Sequence, residues 1–392
     1  MITDVDYGPL RAPTELDRHI EILQWSFAIP KEDLAEFFAR VGSDKVRVLR
    51  ENGRPVAGLS LLTFPQMFGG RPVPMTGVNL VGTAPEARGR GVATRLMEAS
   101  VREMRASGIP ISTLYPAKQT LYRRCGWEVT GARWEISVSA RDIDVASREL
   151  HVRAATPGDL PAVHDVYRRL IRGQTGPIER PDYMWRRIVD PPKKDVGGFV
   201  IEGTEGVEGY VYLRVARTEG LRQELNVADL AVVTPRAAQR LLSFLADHDS
   251  LADRVLWFGS PAAPIVGFLA EYVWKARVYY PWMVRILDPK GALEARGYPP
   301  GLSAELHFEL TDSLLPENSG RYVLEVADGK GQVRSGGKGS IRANERGLAA
   351  IYGGWSTPEA AKGLGLLDGI DADLAAAAAV FAGPIPWMSD MF

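Results

Sequence analysis

Residues 79–93, NLVGTAPEARGRGVA, join an apolar strand to an amphipathic helix through a glycine-containing turn. Gly89 and Gly91 let the backbone turn tightly and bring its N–H groups close to a ligand. The helix that follows directs its unpaired N-terminal donors, and the positive end of its dipole, toward the same place. This stretch therefore predicts a phosphate-binding turn in an α/β fold.

The glycine pattern limits which kind of phosphate-binding turn this stretch can be. Neither GxGxxG nor GxxxxGK[ST] is present at this position, which argues against the usual dinucleotide and P-loop turns. The context still favours a ligand site, because apolar residues recur on one face of the helix over 92–104 and a second strand is predicted at 109–114. An ordinary glycine-rich turn between a strand and a helix is the alternative.

Composition excludes several other classes of protein. The 392 residues carry a net charge of −1 and contain no block of Lys or Arg, so we expect no nucleic-acid partner and no anionic membrane surface. Cys125 is the single cysteine and the five histidines are scattered, so we expect no disulfide and no metal site. The polar N-terminal region and the lack of an 18-residue apolar run predict a cytoplasmic protein without membrane insertion.

The chain divides by its patterns into three predicted domains: residues 1–150, 151–285 and 286–392. The first alternates strands and helices, which predicts one mixed α/β sheet. Its predicted elements are strands at 46–50, 56–63, 78–83, 111–114 and 135–138, with helices at 16–24, 31–41 and 91–107. The third alternates strands and helices in an α+β layout after Gly297-Tyr298-Pro299-Pro300-Gly301.

The second predicted domain repeats the layout of the first. Residues 229–235, DLAVVTP, and the helical stretch that follows them match 79–85 and its helix at a separation of 150 residues. The second copy has Arg236-Ala237-Ala238-Gln239-Arg240 where the first has its two glycines. Side chains there would block a close approach by phosphate, so we expect a degenerate copy that binds no cofactor.

These features together resemble a known family. The turn fits Arg/Gln-x-x-Gly-x-Gly/Ala, the pyrophosphate-binding pattern of the GCN5-related N-acetyltransferases (GNAT). Four further features resemble the Eis (enhanced intracellular survival) branch of that family: Tyr122 within QTLYRRCGW, the tandem layout, RILDPKGALEARGY at 285–298 and the final Phe392. The resemblance implies two GNAT folds, the second degenerate, and a C-terminal domain similar to sterol carrier proteins. It also implies acetyl-CoA as co-substrate and a homo-oligomer, specifically a hexamer.

The resemblance implies particular catalytic groups. Transfer of an acetyl group from a thioester to an amine requires a base for the ammonium, whose pKa is near 10.4, and an acid for the departing thiolate. In the Eis-like pattern Tyr122 is the acid, and the α-carboxylate of Phe392 folds back as the base. The alternatives are that Tyr122 packs beside Trp127 and that the end of the chain is disordered. Cys125 is interpreted as a packing residue because direct transfer needs no acyl-enzyme.

The same comparison implies the cofactor contacts. The pantetheine amides would pair with the backbone of Val81, Gly82 and Thr83. The turn that begins at Arg88 would hold the pyrophosphate. The pyrophosphate contacts implied are Gly89, Arg90, Gly91, Val92, Ala93 and Thr94. Ala117 and Lys118 occupy the place of a further family contact, although their residue types differ from the Ser-Glu expected there.

The residues that bind the acceptor amine are predicted with less detail than the cofactor contacts. Candidate pocket walls are Trp25, Phe27, Phe64 and Phe68, and either Asp33 or Asp390 can hold a cationic amine, although a structural or solvated role is the alternative for each. The family implies an aminoglycoside, a polyamine-like molecule or a lysine side chain. Two other functions stay open at this point: a carrier of lipids or other hydrophobic ligands, and a CoA-binding assembly module without catalysis.

Overall fold

The computed structural model of the protein describes residues 4–191 and 195–392, and these fold as two compact units. The first unit contains residues up to 130, residues 282–383 and Phe392. The second contains residues 131–281 and 384–391. The unit that contains 1–130 also contains most of the predicted third domain.

The strands, numbered in chain order, are β1 (Val5–Pro9), β2 (Val46–Glu51), β3 (Arg54–Phe68), β4 (Arg71–Thr83), β5 (Ile111–Leu114), β6 (Glu128–Ser139), β7 (His151–Ala154), β8 (Gly197–Gly203), β9 (Gly206–Arg217), β10 (Gln223–Val232), β11 (Ala252–Phe258), β12 (Trp274–Ile286), β13 (Ala304–Thr311), β14 (Gly320–Ala327), β15 (Lys330–Ser335), β16 (Ile341–Asn344) and β17 (Leu367–Asp368).

The α-helices are α1 (Pro13–Phe27), α2 (Lys31–Val41), α3 (Val92–Ala106), α4 (Gln119–Arg123), α5 (Leu160–Ile171), α6 (Asp182–Val189), α7 (Pro235–Ala246), α8 (Pro289–Ala295), α9 (Glu345–Tyr352), α10 (Pro358–Gly363) and α11 (Asp371–Val380). Within the described residues, no helix is long and apolar enough to cross a membrane.

In the first unit, β1 to β5 lie side by side in chain order. Neighbours are antiparallel from β1 to β4, whereas β4 and β5 are parallel, and Met283–Ile286 of β12 add an antiparallel strand beyond β5. Val46 and Val48 pack under α1 and α2, while Leu49 packs with α3. Because alternate side chains of a strand point to opposite faces, helices cover both faces of this sheet.

The predicted third domain packs into the first unit through buried contacts. Its sheet has the order β15-β14-β13-β16-β17, with β13 and β16 parallel. The Phe68 ring lies 4.8 Å from the Tyr352 ring, and the buried Thr130 hydroxyl donates to the Ala349 carbonyl. The Arg285 guanidinium donates to both carboxylate oxygens of Asp312 at 2.7 Å. These contacts explain why the first unit contains both segments.

The second unit repeats the strand plan of the first. Its sheet has the order β6-β11-β10-β9-β8-β7, with β10 and β11 parallel and the other neighbours antiparallel. Residues 135–139 of β6 pair with β11 inside this unit, which is why the division into compact units falls at 130/131. Because α7 follows β10 as α3 follows β4, the fold contains the predicted tandem copy.

Some element boundaries match the predictions and others do not, including the start of β6 at Glu128 where the strand was predicted from residue 135. Helix α2 and strand β5 have the predicted bounds. Strands β3 and β4 are longer than expected and form a hairpin around Gly69-Gly70, in which Pro65 lies opposite Pro74. Proline donates no N–H to a strand ladder, so this run lacks the usual strand signature in the sequence.

The buried Arg285–Asp312 pair gives a prediction about stability. In Asp312→Ala the fully buried guanidinium loses its counter-ion, so we expect the free energy of unfolding to fall by about 3 kcal/mol or more. Denaturant unfolding measures the loss. The exposed Glu317→Ala in the same segment is the control and should change stability by less than about 0.5 kcal/mol. Equal effects of the two variants would contradict a structural role for the pair.

Candidate active site

Strand β4 contains a β-bulge at the position of the predicted backbone contacts. Gly58 lies opposite Gly82 and Ser60 opposite Asn79, so Leu80 and Val81 together face Leu59 alone. Leu80 has φ of 51°, a left-handed conformation that non-glycine residues rarely adopt. A bulge leaves backbone groups outside the ladder and redirects the strand. Nothing in the local sequence pattern marks Leu80 as a residue with a left-handed conformation.

Strands β4 and β5 separate just before the bulge. Their pairing is confined to Met75–Gly77 with Ile111–Thr113, yet β4 continues to Thr83. From Val78 onward, β3 is the strand that pairs with β4 among the described residues. The edge of β4 that faces away from β3 therefore presents extended backbone, which is suited to the amides of an elongated ligand.

The turn after β4 has the conformation that its glycines predict. Gly89 and Gly91 have φ of 77° and 75°, and a Cβ built on either would meet no atom within 4 Å. Gly91 is the residue before α3, and no side chain caps this helix. The N–H groups at the start of α3 are therefore available to an anion beside open space.

Arginines surround this turn and one carboxylate holds two of them. Glu51 accepts hydrogen bonds at 2.7 Å from both Arg90 and Arg95, and these arginines hold the pKa of its carboxyl below the ordinary value. Arg88 reaches the carbonyl of Trp25 at 3.5 Å. Glu51 was missed from the sequence, because nothing in its local pattern links it to a turn 40 residues later.

The corresponding helix start in the second unit is closed. The Thr234 hydroxyl accepts from the Ala237 N–H at 3.2 Å, and Pro235 has no N–H. Arg236 is bound by the Glu208 carboxylate. At this helix start the Ala237 N–H is capped and Pro235 supplies no N–H, so fewer donors are open at α7 than at α3.

Tyr122 lies on α4 inside the core that packs under α3. It is 5% exposed, its ring is in edge contact with Trp127, and burial raises its pKa to about 12. Both the packing role and an acid role are compatible with this position. Its hydroxyl has no hydrogen-bond partner among the described residues, so it is free to donate to a ligand. Ala117 and Lys118 are exposed between β5 and α4.

The ring of Phe392 is packed on the other face of the same sheet. Its centroid lies 5.1 Å from that of Phe64 and 6.1 Å from that of Tyr115. A Cβ on Gly77 would lie 2.5 Å from the Phe392 ring, so glycine is the residue that leaves room for it. The residue is 8% exposed, so it is ordered against the strands beside the opening between β4 and β5.

The other predicted acceptor residues do not gather at one place. Phe68 is fully buried against Trp282 and Tyr352 and is a core residue. Trp25 and Phe27 are exposed at the end of α1, and Asp33 lies in the first turn of α2. Of the predicted pocket walls, Phe64 is the one in contact with Phe392.

Asp390 is held by an arginine within the second unit. Arg180 donates to Asp390 at 2.9 Å and to both oxygens of Asp229, and it stacks 3.9 Å from the Tyr167 ring centroid. Residues 386–388 hydrogen-bond through their backbone to Ala132 and Thr175. Because its carboxylate is already paired with a buried guanidinium, Asp390 fixes the C-terminal segment, and the proposed role of binding a cationic amine does not suit it.

Comparisons with known proteins agree with this geometry. A GNAT acetyltransferase domain model matches residues 10–130, a second GNAT model matches 176–286, and a sterol carrier protein domain model matches 289–389. A GCN5-related N-acetyltransferase from Anabaena variabilis is 32% identical, covers 99% of this chain and 100% of its own, and superposes with a TM-score of 0.94. The chain belongs to the GCN5-related N-acetyltransferase family.

Two further comparisons refine the assignment. An N-acetyltransferase from Streptomyces avermitilis is 28% identical over 302 residues, 72% of this chain and 73% of its own length. Eis1 from Mycobacterium abscessus shares the fold at 22% identity, with a TM-score of 0.80 over 99% of this chain and 100% of its own. The predicted family is confirmed, the chain is an N-acetyltransferase, and the tandem architecture with a carrier-like domain is confirmed at the level of the fold.

The buried Arg180 gives a second prediction. In Asp390→Ala one of its two carboxylate partners is lost, so we expect the free energy of unfolding to fall by about 3 kcal/mol. Chemical denaturation followed by tryptophan fluorescence measures the change. Asp144→Ala, an exposed aspartate of the same unit, is the control. A loss below about 1 kcal/mol would show that Asp229 alone is sufficient to hold Arg180.

Proposed function

We propose that this N-acetyltransferase moves the acetyl group of acetyl-CoA directly to a primary amine, with Tyr122 as proton donor and the α-carboxylate of Phe392 as base. The observation that carries the proposal is the uncapped start of α3 beside two glycines with open space over them. That arrangement suits a pyrophosphate, and it lies at the end of a strand whose outer edge is free.

The residues of the first unit fit each part of the co-substrate. The backbone of Val81, Gly82 and Thr83 is proposed to pair with the pantetheine amides along β4. The N–H groups of Gly89 to Thr94 are proposed to bind the pyrophosphate, with Arg88 and Arg90 adding positive charge. Glu51 supports this role by fixing the Arg90 side chain at the turn.

The proposed acid and base follow from the chemistry of amide formation. An alkyl ammonium must lose a proton before it can attack, and a carboxylate of pKa roughly 3.5 is ionised at neutral pH and accepts hydrogen bonds. Phe392 is proposed to supply such a group. Its ring is packed against the strands that border the opening between β4 and β5. Tyr122 keeps its proton at neutral pH and can donate it to the departing thiolate.

The acceptor is proposed to be an aminoglycoside, a polyamine-like molecule or a lysine side chain. The test is a panel of these amines assayed for CoA release, with the acetylated nitrogen located by mass spectrometry. Acetyl-CoA-dependent product from at least one primary amine is expected. Binding of fatty acyl ligands without CoA release from any amine would favour the hydrophobic carrier instead.

Tyr122→Phe tests the proposed acid. Loss of the proton donor should lower kcat by about 10²-fold or more, with little change in the KM for acetyl-CoA. Because the pKa of Tyr122 is near 12, wild-type activity should not decline through its ionisation between pH 7 and about pH 10. Tyr322→Phe, which removes a hydroxyl bound to the Asn318 carbonyl, is the control and should leave kcat unchanged. Equal kcat values for wild type and Tyr122→Phe would exclude the role.

Displacement of the Phe392 carboxylate tests the proposed base. One glycine added after Phe392 keeps the ring in its contacts with Phe64 and Tyr115 but moves the free carboxylate by one residue. We expect kcat to fall by about 10²-fold or more, because a general base acts only within hydrogen-bond reach. Phe392→Leu keeps the carboxylate and should lose less activity. An extended chain with wild-type kcat would rule the carboxylate out.

A further inference from the structure

A cavity of about 340 Å³ in the second unit is lined by four arginines and one carboxylate. Arg180 is the arginine already paired with that carboxylate, Asp390, and with Asp229. The other three are Arg133, Arg187 and Arg214. The cavity therefore has an excess of positive charge after its internal ion pair is counted.

Two of these arginines have no carboxylate partner in residues 4–191 and 195–392. Arg187 donates to the Met391 carbonyl at 2.9 Å, which leaves most of its five N–H donors without an acceptor among the described residues. Arg214 is half-buried on β9 and makes neither a hydrogen bond nor an ion pair with the described residues. Like charges that line one cavity repel each other, and an anion bound between them offsets that repulsion.

The elements of the unit direct these groups to one place. One side of α6 carries Met184, Arg187 and Ile188, because residues three and four apart lie on the same helix face. Arg214 lies directly opposite Asn226 in the β9–β10 pair, so both side chains point to the same face of the sheet. Arg133 is stacked on the Phe258 ring at 3.4 Å and donates to the Ser389 carbonyl.

The apolar part of the lining suggests the body of the ligand. Met184, Ile188, Val227 and Leu256 form a wall beside the arginines. A cavity of this size, with an apolar wall and a few convergent polar groups, is typical of a small-molecule site. The planar guanidinium groups suit the paired oxygens of a carboxylate or a phosphate.

We propose that this cavity is a binding site for a small organic anion that carries a carboxylate or phosphate group, held by Arg187 and Arg214 and closed on one side by residues 389–391. The site belongs to the second unit, and its lining includes no residue of the turn at 88–93. It does not rest on the proposed transfer reaction.

The test is calorimetric titration of the full chain with citrate and, separately, with inorganic phosphate, at ionic strength held constant with potassium chloride. Each titration is run with and without saturating CoA, since the turn at 88–93 is a second place where phosphate can bind. We expect citrate binding that persists with CoA present and weakens as the salt concentration rises. Phosphate that binds more tightly than citrate would identify phosphate as the preferred group.

Matched arginine pairs assign the site. Arg187→Gln and Arg214→Gln should each weaken binding about tenfold or more. Their controls are Arg186→Gln on the same helix and Arg217→Gln on the same strand, which lie outside the cavity lining and should bind as the wild type does. The conservative Arg214→Lys keeps the charge but loses the planar fork, so its affinity for citrate should lie between those of Arg214→Gln and the wild type. This comparison remains informative even where a glutamine variant is poorly folded.

Three results would overturn the proposal. The first is no citrate or phosphate binding above the chloride background. The second is an equal loss in the cavity variants and their controls, which would indicate a general charge effect. The third is binding that CoA abolishes, which would assign the anion to the turn at 88–93.

Discussion

The separation of β4 from β5 after Gly77 and Thr113 is the constraint on which the proposed active site depends. A parallel pair of strands would normally continue its ladder and bury the backbone groups between them. Here the pairing ends after three residues, and the bulge at Leu80-Val81 redirects β4 toward the turn at 88–93. The strand therefore presents a free edge that leads to an uncapped helix start. The positive φ of Leu80 has an energetic cost, and such strain persists where the surrounding structure fixes it.

Buried arginines organise the rest of each unit. In the first unit Arg285 and Asp312 are removed from water together, so the carrier-like sheet and the transferase sheet form one core. In the second unit Arg180 connects Asp229 on β10 to Asp390 near the end of the chain. Each pair is costly to break because a lone buried charge cannot recover its hydration. These ion pairs determine which segments pack together. Their contribution to net stability is the smaller effect.

The features that the sequence predicted are those that depend on local rules. Gly89 and Gly91 were identified because their backbone freedom is a property of the residue, and the missing glycines at 236–240 marked the second copy for the same reason. Gly77 lies just before the strand predicted at 78–83, so its place inside β4 and the close approach of Phe392 to it were not predicted. Glu51, Leu80 and Tyr115 carried no local signal, because their roles arise from partners far away in the chain. The assignment of Asp390 to the acceptor was unsuitable for the same reason, since Arg180 is 210 residues away.

The sequence by itself determined the family, the tandem copies and the position of the glycine-containing turn before α3, because strand periodicity and glycine placement are written in consecutive residues. The tertiary structure decided that residues 1–130 and 282–383 form one unit and that β6 from residue 131 pairs with β11. It also decided that Phe392 lies on Gly77 and Phe64 and that three arginines besides Arg180 face one cavity. These outcomes depend on packing between segments distant in sequence, where burial and charge pairing, rather than local conformation, select the partner.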